Sequence, residues 1–154
     1  MCSHVLLERS LTLTSENEKT NIVIPFRVDE PYDEIYVDTC FYPKYFYDYV
    51  QSEQMIEECV QRYQLDPQTD VYEGGDEVLP LCNHVTFSMD MNGRYIGSAL
   101  RHGNAQHIVL KSGGSSPGFS LAELESGEWK FVINVFALIT KKCDYQVQIT
   151  GIRR

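Results

Sequence analysis

The alternation in residues 127–136, GEWKFVINVF, constrains this chain more than any other feature. Trp129, Phe131, Ile133 and Val135 take every second place, between Lys130, Val132, Asn134 and Phe136. Side chains alternate faces along a strand, so one face here is wholly apolar and has to be buried. That face begins with the chain's only Trp. Upstream, Gly113-Gly114-Ser115-Ser116-Pro117-Gly118 supplies positive-φ residues and a fixed proline φ, so no strand runs through it. Loop, Ser126-Gly127 turn and strand together predict a β-sandwich core anchored by Trp129.

The same period of two recurs along most of the chain. Val5, Leu7, Leu11 and Leu13 predict a first strand, turned at Ser15-Glu16-Asn17-Glu18. Ile22, Ile24, Phe26 and Val28 predict a second, which Pro25 confines to an edge or a bulge. Ile35, Val37, Thr39 and Phe41 predict a third. After the midpoint, His84 to Met91 alternates up to the turn dipeptide Asn92-Gly93. Tyr95 to Leu100, His107 to Lys111, Trp129 to Leu138 and Tyr145 to Ile152 follow. The expectation is an all-β protein, a two-sheet antiparallel sandwich of Greek-key or jelly-roll type with one inserted amphipathic helix.

That helix is signalled by a change of period at Pro43. From Asp48 to Gln64, Ile56, Cys59, Val60 and Tyr63 recur at helical spacing, with Glu53, Glu57, Glu58 and Arg62 on other sides, and Asp66-Pro67 closes the run. The stripe is expected to be buried, because an isolated helix of this length is marginal in water. The turn-rich stretch Pro67 to Pro80 then leads back. Residues 1–154 are thus expected to form one β-sandwich domain, with an acidic helical insertion at about 42–80.

Charge and cysteine usage exclude some functions. The net charge is −9, and between Asp29 and Glu77 there are 14 acidic residues and only Lys44 and Arg62 as basic ones. This argues against a nucleic-acid backbone as partner. The five cysteines, Cys2, Cys40, Cys59, Cys82 and Cys143, form no CxxC pair, and no histidine stands at zinc-ligand spacing from them. Free thiols, no cofactor and no metal are expected. The N-terminus lacks the basic and apolar regions of a secretory leader, and no apolar run approaches the ~20 residues of a membrane span. A cytoplasmic location with no membrane contact is the expectation.

Asp90-Met91-Asn92-Gly93, Ser116-Pro117-Gly118-Phe119, Gly127-Glu128-Trp129 and Tyr145-Gln146-Val147 occur in a familiar order. The chain resembles the β-sandwich domain that precedes the catalytic domain in some bacterial metallohydrolases of the polymerase and histidinol phosphatase (PHP) type. More distantly it is similar to bacterial pre-peptidase C-terminal sandwich domains. The likeness covers Met1 to Phe41 loosely and His84 to Ile152 more closely. The acidic segment has no counterpart, nor do the hydrolase's metal-binding histidine motifs. The resemblance therefore implies a non-catalytic accessory fold and transfers no active site.

Several groups of residues carry chemistry that a site could use. His102 and His107 lack metal-ligand spacing and read as loop residues. Ser115 and Ser116 lie outside any GxSxG or phosphate-loop pattern and read as turn residues. Asp70, Glu73, Asp76 and Glu77 around Gly74-Gly75 offer oxygen ligands for calcium without the EF-hand order, so a solvated loop is preferred; Asp90 with Asn92 is a poorer second candidate. Tyr42, Tyr45, Phe46, Tyr47 and Tyr49 put five aromatics into eight residues. Tyrosine faces serve sugar stacking and protein interfaces, while the plainer expectation is that these rings seat the helix on the sheet.

The composite expectation is a non-catalytic binding or interaction module. A protein partner or self-association uses Tyr42, Tyr45, Tyr47 and Tyr49 with the acidic helix face of Glu53, Glu57 and Glu58. The alternative is a lectin-like module that binds carbohydrate through the same tyrosines. A hydrolase ranks third, since no nucleophile, base and orienter can be named together.

Overall fold

The computed structural model describes residues 1–62, 79–100 and 103–154. The strands are β1 (Cys2–Thr14), β2 (Thr20–Val28), β3 (Glu34–Tyr42), β4 (Tyr45–Phe46), β5 (Leu81–Cys82), β6 (His84–Met91), β7 (Arg94–Ala99), β8 (Ala105–Leu110), β9 (Gly127–Ala137) and β10 (Lys142–Arg153). Among the described residues one α-helix, α1 (Tyr49–Arg62), lies between β4 and β5. Two four-stranded antiparallel sheets, ordered β1-β10-β3-β8 and β2-β9-β6-β7, pack face to face. The strand pairs nest along the chain, β1 with β10, β2 with β9, β3 with β8, and β6 with β7 at the centre of the nest. This is a two-stranded ribbon rolled over on itself, the order of a jelly roll.

The alternation of the sequence becomes the core. Trp129, Phe131 and Ile133 on β9, Phe87 and Met89 on β6, and Ile35, Val37 and Ile149 on the facing sheet are fully buried. Pro25 falls on β2, an edge strand, where the ladder tolerates it. β1 and β10 exceed the lengths that apolar alternation indicates, because they pair with each other from Cys2–Arg153 to Thr14–Lys142 and backbone pairing needs no apolar side chain. Register puts Trp129 opposite Phe26 and Met91, with the Phe26 ring 6.0 Å away, while Phe87 sits opposite Ile133 and packs on Phe131. The indole N–H donates to the Glu125 carbonyl at 3.0 Å, satisfying its one polar atom.

Three of the turn motifs are joined to one another. Asn92 Nδ2 donates to the Ser126 carbonyl and Asn92 Oδ1 accepts from the Glu128 amide, each at 3.0 Å. The carboxamide fills the place where a Cβ on Gly127 would stand, and Gly127 itself has φ of +134°, so only glycine fits there. Gly97 is likewise pressed against the Gly118 carbonyl, through a bridge to Phe119. The Asn92-Gly93 turn, the Ser-Pro-Gly-Phe loop and the Gly-x-Trp strand thus hold one end of the second sheet together.

The helix departs in phase from its sequence expectation. Ser52 and Ile56 are buried and Met55 and Val60 are half-buried, but Cys59 is exposed, and Tyr63 and Gln64 lie outside the described residues. Asp48 caps the helix by accepting from the Gln51 amide at 3.0 Å, and the Ser52 hydroxyl donates to the Asp48 carbonyl at 2.7 Å. With its hydroxyl satisfied locally, Ser52 enters the interior and turns the buried stripe away from Cys59. Met55 and Cys59 share a cleft with Leu138 and Ile139, which is where the helix meets the sandwich. Among the described residues no helix is long and apolar enough to cross a membrane.

Candidate functional site

Two surfaces stand out, and both begin on β3. Its outward residues are Glu34, Tyr36, Asp38, Cys40 and Tyr42, at alternate positions. Register carries this face across the sheet. Glu8, Gln148, Asp38 and His107 stand directly opposite one another on β1, β10, β3 and β8. Ser10, Gln146, Cys40 and Ala105 form the next row, and Thr12, Asp144 and Tyr42 the one after. The smaller side chains Ser10, Cys40 and Ala105 let the surface dip between taller rows, leaving an open groove of about 550 Å³ that crosses the strands.

The β8 side of this face is held in place by polar contacts. His107 Nδ1 lies 2.6 Å from Asp38 Oδ1, and the imidazole meets the Tyr36 ring edge-on with centroids 5.1 Å apart. The Tyr36 hydroxyl donates to Glu34 at 2.8 Å, and Glu34 also accepts from Arg154 at 3.0 Å. The Tyr36 hydrogen bond first, and Arg154 second, hold the Glu34 carboxyl below its usual range; the same bond pushes the Tyr36 phenol up. No hydroxyl or thiol among the described residues is hydrogen-bonded to His107, and none of these residues forms a cluster of three or more metal-ligating side chains.

The second surface is the tyrosine run. The plainer expectation that these rings seat the helix is overturned. Tyr42 is 72% exposed and Tyr47 68%, Tyr45 and Tyr49 are exposed as well, and of the run only Phe46 is half-buried. The reason lies in the chain path. β4 pairs with β5, Tyr45 with Cys82 and Phe46 with Leu81, so the segment leaves the sandwich through a two-stranded neck and its rings point outward from it. The Tyr45 and Tyr47 rings stand 5.9 Å apart, and Lys44 Nζ lies 5.0 Å over the Tyr45 ring, a cation–π contact. Glu53, Glu57 and Glu58 are exposed along α1 next to this run.

Asn83, which nothing in the sequence marks, fixes the neck. Its side chain donates to the Pro43 carbonyl at 2.9 Å and to the Thr140 hydroxyl at 2.8 Å, and accepts from the Ile139 amide at 2.7 Å. Its backbone amide donates to the Lys44 carbonyl at 2.8 Å. A buried carboxamide thus ties both sides of the neck to the loop after β9.

The remaining candidates resolve into structure. The Ser115 hydroxyl bonds the backbone of Lys111 and the Ser116 hydroxyl accepts from the Val109 amide at 2.9 Å, so both close the turn after β8. The carboxamide of Asn92 is taken up by Ser126 and Glu128. His102 and the acidic group Asp70, Glu73, Asp76 and Glu77 lie outside the described residues. The tyrosines are marked by composition, whereas the transverse polar row has no local signature in the sequence. Alternation marks Asp144, Gln146 and Gln148 as outward, yet only strand register says which of them meets Asp38. No family model, curated protein or solved structure matches the chain.

Proposed function

We propose that this protein is a binding module of the cytoplasm with no chemistry of its own, and that the tyrosine neck with the adjoining acidic helix receives a protein partner. The observation behind this reading is the exposure of four tyrosines in one short run beside Glu53, Glu57 and Glu58. Large aromatic rings left in water at one place mark interaction surfaces, and tyrosine is enriched at interface centres. The carboxylates favour a partner with a basic surface, drawn in by an attraction that salt weakens. The Lys44–Tyr45 contact shows in miniature how such rings accept a cation. Five unpaired cysteines fit a reducing compartment. The resemblance to sandwich domains that accompany metallohydrolases supports an accessory role.

The test is affinity capture from the native source by the wild type and by Tyr45→Ala/Tyr47→Ala, at low and high salt. The same protein should be retained specifically by the wild type, released by salt, and lost with the double variant. Equal retention by both proteins would sink the reading. Carbohydrate bound by the same tyrosines is the second reading, favoured by the openness of Tyr42 and Tyr47. A glycan array on wild type and double variant separates the two.

A further inference from the structure

The groove on the β1-β10-β3-β8 sheet is a different surface from the tyrosine neck, and we infer that it binds a neutral, hydroxyl-rich chain, that is, an uncharged oligosaccharide. Glu8, Gln148, Asp38 and His107 form one wall, a row of carboxylate, amide, carboxylate and imidazole across all four strands. At the usual strand spacing this row is about 14 Å long. Gln146 adds a second amide to the floor. The amides of Gln146 and Gln148 have no hydrogen-bond partner among the described residues. Carboxylates accept and amides both donate and accept, so the row presents both kinds of group at close, regular intervals. Neighbouring hydroxyls on a sugar ring require this mixture, since each hydroxyl donates once and accepts twice.

Other ligand classes fit less well. The groove is open, without the enclosing walls a small hydrophobic ligand needs. Glu8 and Asp38 line it beside one basic residue, Arg9, which register sets with buried Val147 rather than with the outward row, so phosphate, sulfate and uronate groups meet no excess of positive charge. A peptide added as a strand docks at a sheet edge, whereas this groove crosses the middle of a face. The row is also stiff where it matters: Asp38 holds His107, and Tyr36, itself tied to Glu34, backs the imidazole. Less ordering entropy is then lost on binding.

The test uses the whole chain and isothermal titration with cellohexaose, xylohexaose and mannohexaose, beside a polygalacturonate hexamer and a heparin hexasaccharide. At least one neutral hexaose should bind, and Asp38→Ala and Gln148→Ala should each weaken it by about tenfold, the loss of a hydrogen bond to a charged or buried partner. Melting temperatures should stay unchanged, because both side chains are exposed. Tyr45→Ala/Tyr47→Ala should leave the affinity intact. Binding by none of the neutral hexaoses, or preference for the charged ones, overturns the inference and leaves the protein-partner reading of the neck standing. Loss of sugar binding in the tyrosine variant, with the two groove variants unaffected, also overturns it and assigns the sugar to the neck.

Discussion

Trp129 combines full burial, ring packing on Phe26 and a satisfied indole N–H, so shortening it empties the middle of a close-packed layer. Trp129→Ala should cost about 3–5 kcal/mol, read as a shift of the urea midpoint, and an unchanged midpoint would contradict the register described for β9. Cys143 is the one cysteine that is buried; the other four are exposed. Burial first, and the neighbouring Asp144 charge second, push its thiol from 9.0 up to about 11. Below about pH 9 the thiol is protonated in both folded and unfolded chains. Between about pH 9 and 11 the unfolded chain ionises and the folded one does not, so stability falls as pH rises through that window. Tyr145, its phenol also raised by burial, continues the loss at higher pH. Two measurements check this. Alkylation of the native protein should label four thiols rapidly and the fifth only on unfolding. In Cys143→Ala, the decline in stability from pH 9 to 10 should flatten; an equally steep decline would assign the alkaline sensitivity elsewhere.

At the scale of elements, the described parts of the excursion between β3 and β6 carry the two-stranded neck and α1. The excursion is held at its base by the β4–β5 pair and by Asn83, and along its length by Ile56, Ser52 and the helix side facing Leu138 and Ile139. These supports divide unequally. Asn83 serves the sandwich as well as the neck, because it also bonds the loop between β9 and β10. Replacing residues 47–80 by a short Gly-Ser bridge, with Lys44, Tyr45, Phe46, Leu81, Cys82 and Asn83 retained, should leave a folded sandwich. Its strand circular dichroism should persist with only a modest loss of stability. Collapse of the β signal in that variant would make the helix part of the core fold.

At the scale of the molecule, the jelly-roll path decides what can be neighbours. Strands far apart in sequence are brought side by side, β1 against β10 and β3 against β8, and this is how Glu8, Asp38, His107 and Gln148 come into one row. The same path ends β3 beside the neck, so the groove and the tyrosine run adjoin, with Tyr42 as the last outward residue of the strand. Charge follows this arrangement. The acidic excess between Asp29 and Glu77 falls on the loop before β3, on β3 itself and on the segment that follows it, leaving the rest of the chain close to neutral.

Burial was legible in the sequence wherever it followed a strict period. Trp129, Phe131, Ile133 and Val135, the edge position of Pro25 and the strand His84–Met91 could all be read from alternation and turn chemistry, because these depend on residues near in the chain. The sandwich as a class followed from them. What the periods could not carry was any quantity set by distant pairing. The partners of Trp129, the hydrogen bonds of Asn83 and the transverse row all depend on register between strands up to about 140 residues apart, such as Glu8 and Gln148, and register leaves no local trace. The helix stripe held at Ile56 but missed Ser52 for a related reason: serine is polar by type, but a hydrogen bond to Asp48 made it fit for burial. The tyrosines show the limit most plainly. Their composition allowed either a seat for the helix or an exposed surface, and only the two-stranded neck, which closes when Cys82 returns to Tyr45, turned them to solvent.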